Sequence, residues 1–173
     1  ALGVGAGRGD VGGRARRLDL VLDPEQLDVE DQHPLGPALL APALDPGIQL
    51  EGAEAFRQKV TRTCLSIDDL AAYQPEVIFI TVKANALPLI ASAIEGFYRE
   101  GMTVISWQNG IDTELELTKV LGRSGVMRAV VNYGCGLVAP GHVRLPFHHP
   151  PHFLQELDPK SKGVTVAIAQ ALS

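Results

Sequence analysis

The chain has 173 residues, 46% of them hydrophobic, and 15 Lys and Arg against 20 Asp and Glu give a formal net charge of −5. That apolar content excludes a wholly disordered chain, the acidic balance leaves no basic footprint for nucleic acid, and no uncharged apolar run approaches the roughly 20 residues of a membrane span. Cys64 and Cys135 are too few and too far apart for a disulfide framework, and the first residues lack a basic-then-apolar leader, so a reducing, cytoplasmic setting is expected.

In chain order, the first feature is a break in composition. Residues 1–46 contain no Ile, Lys, Phe, Tyr, Trp, Ser, Thr, Asn, Met or Cys, whereas residues 47–173 contain 43 of them. A uniform chain would place about 16 in the first stretch. Two explanations stand: a low-complexity Gly/Ala/Pro-rich leader, or a degraded or misread start of a nucleotide-binding domain, since most of the missing residues have A/T-rich codons. The other reading frames of the DNA would decide between them. The expected division is therefore 1–46 as this atypical segment and 47–173 as the folded domain.

Within the second part, Ser66–Tyr73 predicts one or two helical turns leading to Pro75. Glu76-Val-Ile-Phe-Ile-Thr-Val82 is apolar on both faces, the pattern of a buried parallel strand. Ala86–Tyr98 carries Leu87, Ile90, Ala91, Ile94 and Phe97 at helical spacing, and Gly101 ends it. Met102–Ser106 is the next strand. Asp112–Leu121 is a second helix, capped by Asp112 or Thr113, buried through Leu115, Leu117, Val120 and Leu121, and stopped by Gly122. Gly125–Val131 is a third strand. Beyond Tyr133, Gly134, Gly136, Pro140 and Gly141 break the chain before a short strand at His142–Pro146, and Asp158–Ser173 predicts a final helix. Strand and helix in strict alternation predict an α/β fold with right-handed crossovers and a doubly wound parallel sheet. Ligands of such sheets bind beyond the carboxyl ends of the strands, which directs attention to Lys83-Ala-Asn85 and Trp107-Gln-Asn-Gly110.

Gly7-Arg-Gly9-Asp-Val-Gly12 matches the dinucleotide fingerprint, with Gly7 in the tight turn, Gly9 beneath a pyrophosphate and Gly12 against the strand. Only six residues precede it, and a glycine-rich segment makes such a match easily. An ammonium at Lys83 can meet phosphate or carboxylate. Asn109 can bond a cofactor ribose and a substrate hydroxyl or carbonyl, although Asn-Gly is also a common turn dipeptide. His148, His149 and His152 are spaced poorly for zinc and interrupted by prolines, which favours a loop. Cys135 has no base beside it in sequence and reads as a small turn residue.

Val77-Ile-Phe-Ile-Thr-Val-Lys-Ala84, Val104-Ile-Ser-Trp-Gln-Asn-Gly110 and Val130-Val-Asn-Tyr-Gly with Pro140-Gly-His-Val-Arg144 resemble the ketopantoate reductase family over about residues 47–173. The resemblance implies a Rossmann-like cofactor domain and NADPH-dependent reduction of 2-dehydropantoate to pantoate, a step towards coenzyme A. The implied cofactor is NADP and the implied partner is a small 2-oxo acid, with a homodimer as the assembly. Lys83 matches the lysine near the cofactor, and Asn109 matches the asparagine touching cofactor and substrate. Gly134 or Gly136 would fall near the nicotinamide. Gly7, Gly9 and Gly12 are the candidates for the phosphate loop, with Arg14, Arg16 and Arg17 as nearby charge.

The family's catalytic lysine and substrate-binding glutamate belong to a C-terminal helical domain, and no residue here matches either. A hydride acceptor develops negative charge on oxygen that a general acid must neutralise. The chain as written is therefore expected to reduce ketopantoate very slowly or not at all. The rival expectations are a non-catalytic dinucleotide-binding or interaction module, an inactive fragment, and a dehydrogenase of another 2-oxo acid.

Overall fold

The computed structural model describes residues 4–7, 19–21, 43–60, 62–64 and 66–172. Among these residues the strands are β1 (Val4–Gly7), β2 (Asp19–Val21), β3 (Ile48–Gly52), β4 (Phe56–Gln58), β5 (Arg62–Cys64), β6 (Val77–Ile80), β7 (Thr103–Ser106), β8 (Val126–Val130), β9 (Tyr133–Ala139), β10 (His142–His148) and β11 (Phe153–Glu156). The α-helices are α1 (Leu87–Glu95), α2 (Thr113–Leu121) and α3 (Lys162–Leu172).

The main sheet runs β11-β8-β7-β6-β1-β2-β5. At its centre β6, β7 and β8 are parallel, with Ile80 opposite Ser106 and Ser106 opposite Arg128, as the alternating pattern requires. Its margins are mixed: β11 lies antiparallel to β8, and β1 lies antiparallel to both β6 and β2.

The three central strands bury both faces because side chains alternate across a strand. Ile78, Ile80, Val104 and Val126 point to one face, where they meet Leu87, Ile90, Ala91 and Ile94 of α1 and Leu117 and Leu121 of α2. Ile105, Met127 and Ala129 point to the other, where Ile168 of α3 joins them with Phe79 and Trp107 at the margin. Helices on both faces make the sheet doubly wound. Each fully buried Ile or Leu contributes about 1.5–3 kcal/mol, and Ile78, Ile80, Leu87, Ile90, Ile94 and Leu117 are all in that class.

Local sequence explains the element ends. Pro88 occupies the first turn of α1, where its missing N–H costs nothing. Gln74, at φ 46°, closes the short 3₁₀ turn Asp68–Tyr73 that the Ser66–Tyr73 pattern predicted. Gly122, at φ 75°, ends α2 as expected. Two details of α2 differ from expectation. Asp112 precedes it in the left-handed region and makes no side-chain cap bond, while the Thr113 hydroxyl is committed to a buried network. Leu115 lies toward solvent, so the buried stripe is narrower than the four residues expected.

Beyond β8 the chain departs further from the sequence reading. Gly134 and Gly136 do not break it: they sit within β9, and β9 pairs with β10 in a second, four-stranded sheet of order β4-β3-β10-β9. At Gly134 a Cβ would lie 2.6 Å from the ring of Phe147, the residue opposite it on β10, so the glycine makes room for that ring. Glu51 of β3 ties the sheet together, accepting from Arg144 Nε at 2.9 Å and pairing with His142 Nε2 at 2.8 Å. Cross-strand charge pairs of this kind are invisible to periodicity.

Candidate functional site

The site forms where β6 and β7 end side by side. The Trp107 N–H donates to the Ile80 carbonyl at 2.9 Å, which carries the pairing past the last ladder residue and aligns the two exits. After β6, Lys83 is extended and exposed and opens a 3₁₀ turn, Ala84–Ala86, that feeds α1. After β7, Gln108 turns inward and is buried, while Asn109 is exposed.

Gly110 fits the second exit against the start of α2. Its φ of +144° lies in the region that L side chains rarely adopt, and a Cβ there would stand 2.6 Å from Thr113 Cγ2 and 3.6 Å from Ala84 Cβ. Only a residue without a side chain lets the Asn109 turn close onto Thr113 at the start of α2, whereas the distance to Ala84 is ordinary van der Waals contact. Lys83 and Asn109 follow the paired strands β6 and β7 and so lie at one end of the sheet, the carboxyl end.

Gly7 is not brought there. It pairs with Val77, at the start of β6, because β1 runs antiparallel to β6, and a reversed strand delivers its last residue to the opposite end of the sheet. Gly9 and Gly12, like Arg14, Arg16 and Arg17, lie outside the described residues. Lys83 and Asn109 are therefore the members of the expected cofactor set that the structure assembles.

The third strand exit adds an aromatic wall. Trp107 Nε1 donates to the Tyr133 hydroxyl at 2.8 Å, and Phe79 packs edge-on against Trp107. Burial pushes the Tyr133 phenol above its ordinary value, with the Trp107 hydrogen bond opposing, so it stays protonated at neutral pH.

Two of the three histidines join this wall as a linked pair. The Asn132 backbone N–H donates to His152 Nδ1 at 3.0 Å, and His152 Nε2 lies 2.8 Å from His148 Nε2, with His148 Nδ1 bonded to Glu54. An amide N–H can only donate, so His152 carries its proton on Nε2 and donates to His148, which carries its own on Nδ1 towards Glu54. His149 stacks on Phe147 instead. Among the described residues no group of three or more His, Cys, Asp or Glu could hold a metal ion. Cys64 is buried in the core and Cys135 is exposed on β9.

Sequence reasoning missed Arg128. It stands mid-strand on β8, and its Nη2 donates to the Gly110 carbonyl at 2.8 Å while Nη1 donates to Thr113 Oγ1 and, at 3.2 Å, to Glu114 Oε2. The available signal was a lone cation inside Val126-Met-Arg-Ala-Val130, an otherwise apolar strand.

A family model for the ketopantoate reductase PanE/ApbA matches residues 39–153. The chain belongs to that family. Solved structures agree on the fold. The 2-dehydropantoate 2-reductase of Porphyromonas gingivalis W83 superposes with a TM-score of 0.60 at 14% identity, over 79% of this chain and 48% of that one. For the enzyme of Geobacter metallireducens GS-15 the values are 0.58, 17%, 72% and 42%. A ternary structure of D-mandelate dehydrogenase with NADH and anilino(oxo)acetate gives 0.63 at 17% identity, over 88% and 45%. The chain spans less than half the length of each of these three structures. No curated protein matches it significantly. Among the described residues no helix is long and apolar enough to cross a membrane.

Proposed function

We propose that the Lys83–Asn109 end of the sheet binds a nicotinamide dinucleotide, NADPH in the first instance, and that residues 47–173 are the cofactor-binding part of an enzyme that reduces 2-dehydropantoate to pantoate. The observation that carries this reading is the parallel pairing of β6 with β7, continued by the Trp107 N–H to the Ile80 carbonyl, which brings Lys83 and Asn109 out at the carboxyl ends of two adjacent strands, the place where such sheets take their ligands. Family membership supports the reaction class, and the NADH named in the D-mandelate dehydrogenase structures supports a nicotinamide cofactor.

The residues present fit that group. Lys83 offers a charge for phosphate, and Asn109 offers both a donor and an acceptor for ribose hydroxyls and for the oxygen of a 2-oxo acid. When bound, the reduced nicotinamide supplies the hydride. The chain's own contribution is to hold and orient: the paired β6 and β7 exits set where Lys83 and Asn109 leave the sheet, and Phe79, Trp107 and Tyr133 pack together beside the β7 exit.

Titration of the chain with NADPH, followed by nucleotide fluorescence, tests the reading. Asn109→Ala and Lys83→Ala are each expected to weaken binding about tenfold or more, the loss of one good polar contact. Equal affinity in both variants and the parent sinks it. NADH run in parallel decides the cofactor. A second reading, a dinucleotide-binding module without turnover, is favoured by the side chains this exit displays, which are suited to binding. Binding of NADPH with no ketopantoate-dependent loss of absorbance would establish it.

A further inference from the structure

The Arg128 side chain is 18% exposed and that of its ion-pair partner Glu114 15%, in a strand whose neighbours are aliphatic. A cation held there needs a purpose beyond surface charge. All of its described hydrogen bonds go to one segment: the Gly110 carbonyl, the Thr113 hydroxyl and the Glu114 carboxylate. A guanidinium only donates, so each of these bonds runs from Arg128. Ser106 gives its one proton to Gln108, so Thr113, which accepts from Arg128, donates to Ser106 Oγ, at 2.7 Å. Ser106 in turn donates to Gln108 Oε1, at 3.2 Å. The chain ends on the Gln108 amide nitrogen, which is buried and has no hydrogen-bond partner among the described residues.

Arg128 therefore grips both neighbours of Asn109. It holds Gly110 directly by its carbonyl and Gln108 through a relay of two buried hydroxyls. We propose that Arg128 is a positioning residue: it sets the backbone of residues 108–110 so that the Asn109 side chain is presented to the ligand. This rests on the reading of Asn109 as a cofactor contact. Without the guanidinium, the Gly110 carbonyl and Thr113 hydroxyl lose their donor, and the turn loses its fixed orientation though the strand beneath it remains.

The test uses the intact chain with Arg128→Met, which keeps length without charge, and Arg128→Lys, which keeps charge without the fork. Amide hydrogen exchange of the ligand-free protein reads the turn itself. Exchange at residues 108–112 is expected to quicken about tenfold in Arg128→Met and less in Arg128→Lys, with β6 and α1 unchanged. NADPH affinity is expected to fall about tenfold in Arg128→Met, and to fall less than about twofold further when the same change is made in an Asn109→Ala background. Additive losses in the two backgrounds, or unchanged exchange at 108–112, overturn the proposal. If Asn109→Ala binds NADPH like the parent, the cofactor reading falls, and the exchange measurement alone then decides whether Arg128 orders the turn. Should Arg128→Met fail to fold, Thr113→Val cuts the same relay and is held to the same two outcomes.

Discussion

Gly110→Ala is the substitution whose consequence follows most directly from the geometry. The added Cβ meets two costs. The first is backbone: φ +144° is strained for any residue with a side chain, at about 1–2 kcal/mol. The second is steric, because the new atom would stand 2.6 Å from Thr113 Cγ2. Thr113 cannot turn aside freely, since its hydroxyl is tied to Ser106 and to Arg128, and releasing those bonds costs about 1 kcal/mol each. The sum is about 3–4 kcal/mol, or roughly 6–16 °C in Tm for a chain of this size. Gly101→Ala isolates the first cost, because Gly101 has φ +88° but open space where a Cβ would go. It should lose about 1–2 kcal/mol. Urea or thermal unfolding followed by circular dichroism measures both, and NADPH titration should show weakening in Gly110→Ala alone. Equal destabilisation by the two changes, with cofactor binding unaffected, would refute the claim that Gly110 is a close-approach residue seating the Asn109 turn on Thr113.

Two further outcomes can be checked independently. The Arg144 hydrogen bond first, and the His142 bond next, hold the Glu51 carboxyl below its ordinary value. A lowered folded pKa contributes stability that is present above the unfolded value, about 4.3, and is lost as pH falls through the folded one. Glu51→Gln should therefore be less stable than the parent at pH 6, with the gap closing below about pH 4.3; a gap independent of pH refutes this. For the histidine pair, nitrogen NMR shifts should report the Nε2–H tautomer for His152 and the Nδ1–H tautomer for His148, the arrangement that the Asn132 N–H imposes. The reverse assignment would break the chain of bonds to Glu54.

Much of the site was legible because it lies on strands and helices whose signals are local. The β6 run, the α1 stripe from Leu87 to Ile94, and β7 followed by Gln-Asn-Gly were readable as buried or amphipathic patterns. Their order alone placed Lys83 and Asn109 at strand exits. Arg128 was not legible as a partner of Gly110, since 18 residues separate them and only the β7–β8 pairing makes them neighbours. Gly134 was read as a breaker because periodicity registers a missing side chain, not the Phe147 ring that fills its place from another strand.

By itself the sequence determined the alternation of strand and helix, the apolar core faces and the two exits that carry the polar groups, because side-chain period and turn chemistry are properties of neighbouring residues. Tertiary structure alone decided the direction of β1, which takes Gly7 to the far end of the sheet, and the second sheet built from β3, β4, β9 and β10. It also decided the closure of the Asn109 turn by Arg128. Strand direction, register and long-range hydrogen bonds depend on which segments meet, and the free energy of that meeting belongs to the whole chain.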